Sequence, residues 1–169
     1  MKREMKIVTY DKNWINQFEA IKTNLLSIFG NLATDIRHFG STSIKGMSAK
    51  PIIDVMVIVS DIKKIDIFNE KMKKAGYIPK GENGISGRRY FQMISDDGIN
   101  HTQHIHCYEK ENQHAVDELM FRDFLEIDNE SFDAYLSAKD EASRKFRFSP
   151  LKYTEYKTAC INRSEERRV

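Results

Sequence analysis

The sequence predicts an α/β (α+β) protein: a mixed, mostly antiparallel sheet of about five strands, packed by helices from both chain ends. Three observations lead there. Ile52 to Val59 is an almost wholly apolar run, as expected for a strand covered on both faces. Arg88 to Ile94 and Thr102 to Tyr108 alternate apolar and polar residues on either side of Asp96-Asp97-Gly98, the pattern of an antiparallel hairpin. Apolar residues at helical spacing flank these strands, from Trp14 to Phe29 before them and from Val116 onward after them.

Length and composition bound the rest. A chain of 169 residues suggests one domain spanning 1–169. It can bury roughly 70% of its unfolded surface and needs no covalent staples. A net charge of +2 does not indicate a nucleic-acid partner. No apolar run approaches the ~20 residues of a membrane span, so no membrane partner is expected. No secretory apolar segment follows the basic start. Cys107 and Cys160 make no disulfide framework and read as reduced residues of a cytoplasmic protein.

Taken in order, Ile7 to Tyr10 reads as a short edge strand. Asp11 caps a helix whose stripe is Trp14, Phe18, Ile21, Leu25, Leu26 and Phe29, and Gly30-Asn31 ends it. Asp35 to Phe39 is a strand, Gly40 to Ser43 a turn, Ile44 to Pro51 a link, and Ile52 to Val59 the buried strand. Asp61 caps a helix reaching Ala75, with Ile62, Ile65, Phe68 and Met72 on its apolar face and Gly76 as its stop. Tyr77-Ile78 starts a short strand, and the glycines of 81–87 mark a loop. In the hairpin, Phe91, Met93, Ile105 and Cys107 share the apolar face, and Tyr90, Gln92, His104 and His106 share the other. His101 and His114 read as surface residues. Three helices follow. The first carries Val116, Leu119, Met120 and Phe124, the second Phe132, Tyr135, Leu136 and Ala142, and the third opens at Pro150. The charged tail, Arg163 to Val169, is expected to fray.

The residues with chemistry gather around the buried strand. Asp54 is its one charge, and a carboxylate there costs several kcal/mol unless paired, metal-bound or at an open strand end. Gly40 allows a tight turn or close ligand approach. Ser41, Thr42 and Ser43 add hydroxyls and Lys50 a positive charge, an arrangement that suits an anion or serves as an ordinary capped turn. His104 and His106 face the same way. They either hydrogen-bond their neighbours or, with Asp54, make a facial metal site better suited to manganese, iron or zinc than to magnesium. His38 contacts substrate or packs. Arg122, Lys139 and Lys157 face phosphates, or else Arg122 pairs with a carboxylate and the lysines snorkel.

Gly40-Ser41 followed by Asp54 resembles the nucleotidyltransferase superfamily pattern, in which Gly-Ser after one strand precedes an acid on the next. The fuller run His38-Phe39-Gly40-Ser41-Thr42-Ser43, Gly46 and Ala49-Lys50-Pro51-Ile52-Ile53-Asp54 resembles the GrpB family. So do His104-Ile105-His106, Phe121-Arg122-Asp123-Phe124-Leu125, and Tyr135 with Lys139. The resemblance implies a minimal nucleotidyltransferase fold with a C-terminal helical addition. It implies transfer of a nucleotidyl or phosphoryl group from a nucleoside triphosphate to an acceptor that it does not identify. It implies Asp54 as the catalytic acid, and a divalent cation (magnesium or manganese, with zinc as an alternative) on Asp54, His104 and His106. Substrate binding falls to His38, Gly40, Ser41, Thr42, Ser43, Lys50 and Arg122, and the partner is a small nucleotide or metabolite. One departure stands out: the superfamily's second acid, two residues after the first, is Met56 here. A thioether removes a hard ligand and a charge. That keeps two rivals open: a nucleotide- or metabolite-binding module of the same fold, and a metal-dependent hydrolase using Asp54, His104 and His106.

Overall fold

The computed structural model describes residues 4–166. Its sheet has five strands: β1 (Ala33–Phe39), β2 (Ile53–Val59), β3 (Ile78–Pro79), β4 (Arg89–Ile94) and β5 (His101–Glu109). They lie in the order β1-β2-β5-β4-β3. Only β2 and β5 run parallel; the other neighbours are antiparallel. Helix α1 (Asn13–Phe29) precedes the sheet and α2 (Asn69–Lys74) lies between β2 and β3. Helices α3 (Gln113–Ile127), α4 (Asn129–Lys145) and α5 (Pro150–Glu166) follow it. No described helix is long and apolar enough to cross a membrane.

Alternation along the strands decides what each face meets. Ile53, Val55, Val57 and Val59 of β2, with Ile105 and Cys107 of β5, pack against Trp14, Phe18, Ile21, Leu25 and Phe29 of α1. Residues in between point to the opposite face. There Met56 and Tyr108 join Phe39 and Ala115 in a second, smaller core. Helices α3 and α4 close over the turn after β1, where Ile44, Met47 and Leu125 are buried beside Phe121, Phe132 and Tyr135.

Four local expectations change. Ile7 to Tyr10 forms no sheet strand; it makes a single antiparallel bridge, Val8 to Ala49, that ties the chain start to the link before β2. The segment after Asp61 is not one α-helix. Ile62–Phe68 is 3-10 and only Asn69–Lys74 is α-helical. The buried or half-buried positions Ile62, Ile65 and Phe68 recur every three residues, the period of a 3-10 helix. Asp61 caps it as expected, accepting from the Lys63 N–H at 3.0 Å. Helix α5 continues to Glu166, past Arg163 where fraying was expected; 167–169 lie outside the described residues. His101, read as a surface residue, is half-buried against His104.

Candidate functional site

Strand register assembles the site. Asp54 on β2 stands opposite Phe39 on one side and His104 on the other, and Met56 stands opposite His106. Asp54, His104 and His106 therefore share the face that α1 does not cover. The Asp54 side chain is 26% exposed, so it is neither buried in apolar surroundings nor freely solvated. His104 Nδ1 lies 3.1 Å from Asp54 Oδ1, and His106 Nε2 lies 3.8 Å from the same oxygen. Burial alone would raise the Asp54 carboxyl. The His104 hydrogen bond, then the electrostatic pull of His104 and Lys157, outweigh it and hold the carboxyl below its ordinary value.

Gly40 is fixed by this carboxylate. Its φ of +70° is one that L side chains rarely adopt, and an added Cβ would lie 2.7 Å from Asp54 Oδ2. The turn closes when the Ser43 N–H and hydroxyl both donate to the Gly40 carbonyl, at 3.1 and 2.6 Å. The Thr42 hydroxyl donates to the Ile52 carbonyl and accepts from His38 Nε2 at 2.9 Å. Ser43 thus spends its hydroxyl inside the turn, and Thr42 spends its own on the flanking strand and link.

A cavity of about 470 Å³ opens over Asp54. It brings together eight residues expected at the site: Gly40, Ser41, Thr42, Lys50, Asp54, His104, His106 and Arg122. His38 and Ser43 do not line it. The His38 ring stacks on Phe18 of α1, 5.0 Å between centroids, on the other side of the sheet. Burial there lowers its pKa to about 4, against the pull of Asp54. Arg122 donates to the His38 carbonyl at 2.8 Å and is paired with Asp123, so part of its charge is already used.

Helices α4 and α5 supply the opposite wall: Tyr135, Lys139, Tyr153 and Lys157. The Lys50 ammonium lies 4.3 Å from the Tyr153 ring centroid, and the Lys139 ammonium 5.5 Å from that of Tyr135. Lys139 is 2% exposed and donates to the Ser48 carbonyl at 2.6 Å. Burial, and then repulsion from Lys157 and Lys50, lowers its pKa to about 6. Lys157 moves the other way, raised chiefly by Tyr135 and aided by Asp54.

Two charged residues here escaped the sequence reading. Glu118 of α3 lines the cavity, its Oε2 buried without a hydrogen-bond partner among the described residues. Burial, then the Asp54 charge, raises its pKa to about 7. Arg88, 6% exposed, donates to the carbonyls of Glu82 and Asn83 and lies 3.5 Å from His106 Nδ1. Both had a signal. Ala115, Glu118, Arg122 and Leu125 are spaced as one helix face, and Arg88 alternates in phase with Tyr90 and Gln92.

The donor atoms of Asp54, His104 and His106 lie within 4.8 Å of one another, close enough for one ion. One carboxylate and two imidazoles suit manganese, iron or zinc better than magnesium. His104 fits well. Its second nitrogen faces His101 Nδ1 at 2.8 Å, which can serve as the outer partner a ligating imidazole needs. His106 fits less well, because Arg88 can only donate to its Nδ1 and so leaves the proton on Nε2. Burial, offset by Asp54 and reinforced by Arg88, lowers the His106 pKa to about 3, so the ring stays neutral. His106 joins a metal only if Arg88 withdraws.

The family described as "GrpB protein" matches residues 4–167. The UPF0157 protein YqkA of Bacillus subtilis is 39% identical over 165 residues, which are 98% of this chain and 47% of that protein. The chain thus spans about half the length of that relative. Among solved structures, the conserved protein GrpB from Enterococcus faecalis superimposes with a TM-score of 0.83 at 30% identity, over 94% of this chain and 99% of that one. A cytoplasmic RNA terminal U-transferase shares the fold with a TM-score of 0.56 at 20% identity, over 82% of this chain and 43% of that one.

Proposed function

Because this chain belongs to the GrpB family, on a nucleotidyltransferase-like fold, we propose that its cavity binds a nucleoside triphosphate and transfers a nucleotidyl or phosphoryl group to an acceptor hydroxyl. One observation carries the reading: Lys50, Lys139 and Lys157 converge on the same cavity as the Gly40-Ser41 turn and Asp54. Repulsion from Lys157 and Lys50 already disfavours the charged form of Lys139 in this half-enclosed space, and a polyphosphate removes that cost. Ser41 and the lysines hold the phosphates, and the rings of Phe121 and Tyr135 offer the base an apolar surface. Asp54 and His104 would hold a divalent cation, which neutralises phosphoryl charge when bound. In the transfer, the acceptor oxygen forms a new P–O bond, and the bond to pyrophosphate (nucleotidyl transfer) or to the nucleoside diphosphate (phosphoryl transfer) breaks. Glu118, the cavity's second carboxylate, takes the acceptor proton.

Met56 favours a second reading, a module that binds nucleotide without transfer. It is fully buried in the smaller core, where the superfamily carries another metal-binding acid. The test is release of pyrophosphate (nucleotidyl transfer) or nucleoside diphosphate (phosphoryl transfer) from a nucleoside triphosphate with manganese and candidate acceptors, beside calorimetric binding. Asp54→Asn is expected to cut release by about 10²-fold, with binding largely kept. Binding without release in the wild type supports the module. Absence of binding overturns both readings.

A further inference from the structure

A second cavity, of about 380 Å³, adjoins the first at the starts of β2 and β5. Lys50 and Ile52 line both cavities. His101, on the second, lies 2.8 Å from His104, on the first. We propose that this second cavity binds a small anion bearing several hydroxyls, such as a sugar phosphate. Naming that occupant the acceptor rests on the transfer reading above; its binding does not.

The lining argues for this class. Lys6 and Lys50 bring two positive charges. Glu4, the acid among the described lining residues, is already matched: Arg147 Nε and Nη2 both lie 2.6 Å from its Oε1. The field inside is therefore positive and suits an anion. The Asn100 side-chain amide donates to Asp97 and the Thr102 hydroxyl to the Met93 carbonyl, which leaves their oxygens to accept from ligand hydroxyls beside the His101 imidazole. Val8, Pro51 and Ile52 form an apolar floor against which the carbons of a sugar can rest. The rim is preformed. The Asp97 carboxylate accepts from the Ser95 hydroxyl, the Ile99 and Asn100 N–H groups and the Asn100 side-chain amide, at 2.6 to 2.9 Å. A rigid rim lowers the ordering cost of binding. Among the described residues, no Phe, Tyr or Trp lines this cavity, whereas the first has Phe39, Phe121, Tyr135 and Tyr153. A base would find no stacking surface here. The volume lies at the small end of the range for small-molecule sites.

The experiment is an NMR titration of the 15N-labelled chain with ribose 5-phosphate, with ribose and inorganic phosphate as separate arms. Saturable shifts at Asn100, His101 and Thr102 are expected, about tenfold tighter for ribose 5-phosphate than for either arm. Lys6→Glu changes an exposed residue and should leave the rest of the spectrum in place. It is expected to weaken ribose 5-phosphate by about tenfold and leave triphosphate binding unchanged. Three results overturn the proposal: no saturable shift at those amides, affinity no tighter than for phosphate alone, or shifts confined to the cavity of Lys139 and Lys157. If ribose 5-phosphate binds here while no nucleoside triphosphate binds beside Asp54, the second site stands and only the transfer reading falls.

Discussion

The two faces of the sheet are built from the same strands, one residue out of phase, yet they do different work. On the α1 face, β2 presents Ile53, Val55, Val57 and Val59, and every one is at most 2% exposed. On the other face the same strand presents Asp54, Met56 and Ile58, and the neighbouring strand His104, His106 and Tyr108. That second face is graded along its length. At the strand starts it is ionisable and lies under a cavity; two residues further on, Met56 and Tyr108 are fully buried in a small core. Full apolar packing on one side fixes the backbone, and the incomplete cover of α3, α4 and α5 on the other leaves room for a ligand. Stability and chemistry are thus separated by the pleat of the strands.

The largest expected effect lies on the packed face. Leu25 is fully buried in the α1 core. Leu25→Ala should cost about 2–5 kcal/mol of unfolding free energy, because it removes buried methyl groups and leaves a cavity. Urea denaturation checks this. If the faces are separable, the folded fraction of Leu25→Ala should still bind nucleoside triphosphate with wild-type affinity. A parallel loss of affinity would show that the α1 core also shapes the cavity.

A smaller effect is expected where the faces meet, at Gly40. Alanine there meets two obstacles: a φ of +70° and a Cβ 2.7 Å from Asp54 Oδ2. Holding a non-glycine residue at such a φ costs about 1–3 kcal/mol. The steric part should fall on the carboxylate, pushing it off His104 and weakening ligand binding more than stability. The double variant Gly40→Ala, Asp54→Ala sharpens the point. If the clash is with Asp54, alanine at 40 should cost less in that background than in the wild type, and denaturation of all four forms gives the difference.

Much of this division was legible in the sequence. The β2 run and the alternation of the hairpin assigned both faces, because a period of two leaves little choice once one face is apolar. Gly40 and Asp54 were visible because each breaks its local pattern. The orientation of His38 was readable in principle. It lies two residues from Ile36, which is buried in the α1 core, so its ring had to share that side. What the chain order hides is the parallel pairing of β2 with β5, which puts Asp54 opposite His104 across fifty residues of sequence. The spacing of Glu118 and Arg88 signalled which face they share, but not that they, or Lys139, are buried. A charged residue on an amphipathic helix or strand reads as solvent-facing until the elements that cover it are known.

The smallest effect is a proton count, and it tests whether the polar face is built for an anion. Lys139 is held near pKa 6 by burial and by repulsion from Lys157 and Lys50, so at pH 9 its amine is neutral in the free protein. The unfolded chain binds more protons than the folded one between about pH 6 and the ordinary lysine value. Folding stability contributed by this residue should therefore rise with pH across that window. A bound polyphosphate reverses the local field and favours the charged amine, so binding at pH 9 should take up close to one proton. Calorimetry in two buffers of different ionisation enthalpy measures that number directly. Glu118, with its pKa raised to about 7, is the competing source of uptake. At pH 9 it is almost wholly ionised in the free protein, and Glu118→Gln subtracts whatever it contributes. Uptake that survives Glu118→Gln and disappears in Lys139→Met would assign the proton to Lys139 and the anion to its cavity. Uptake of zero in the wild type, with tight binding, would mean that the triphosphate sits elsewhere and that the lysine wall serves only to pack α4 and α5 against the sheet.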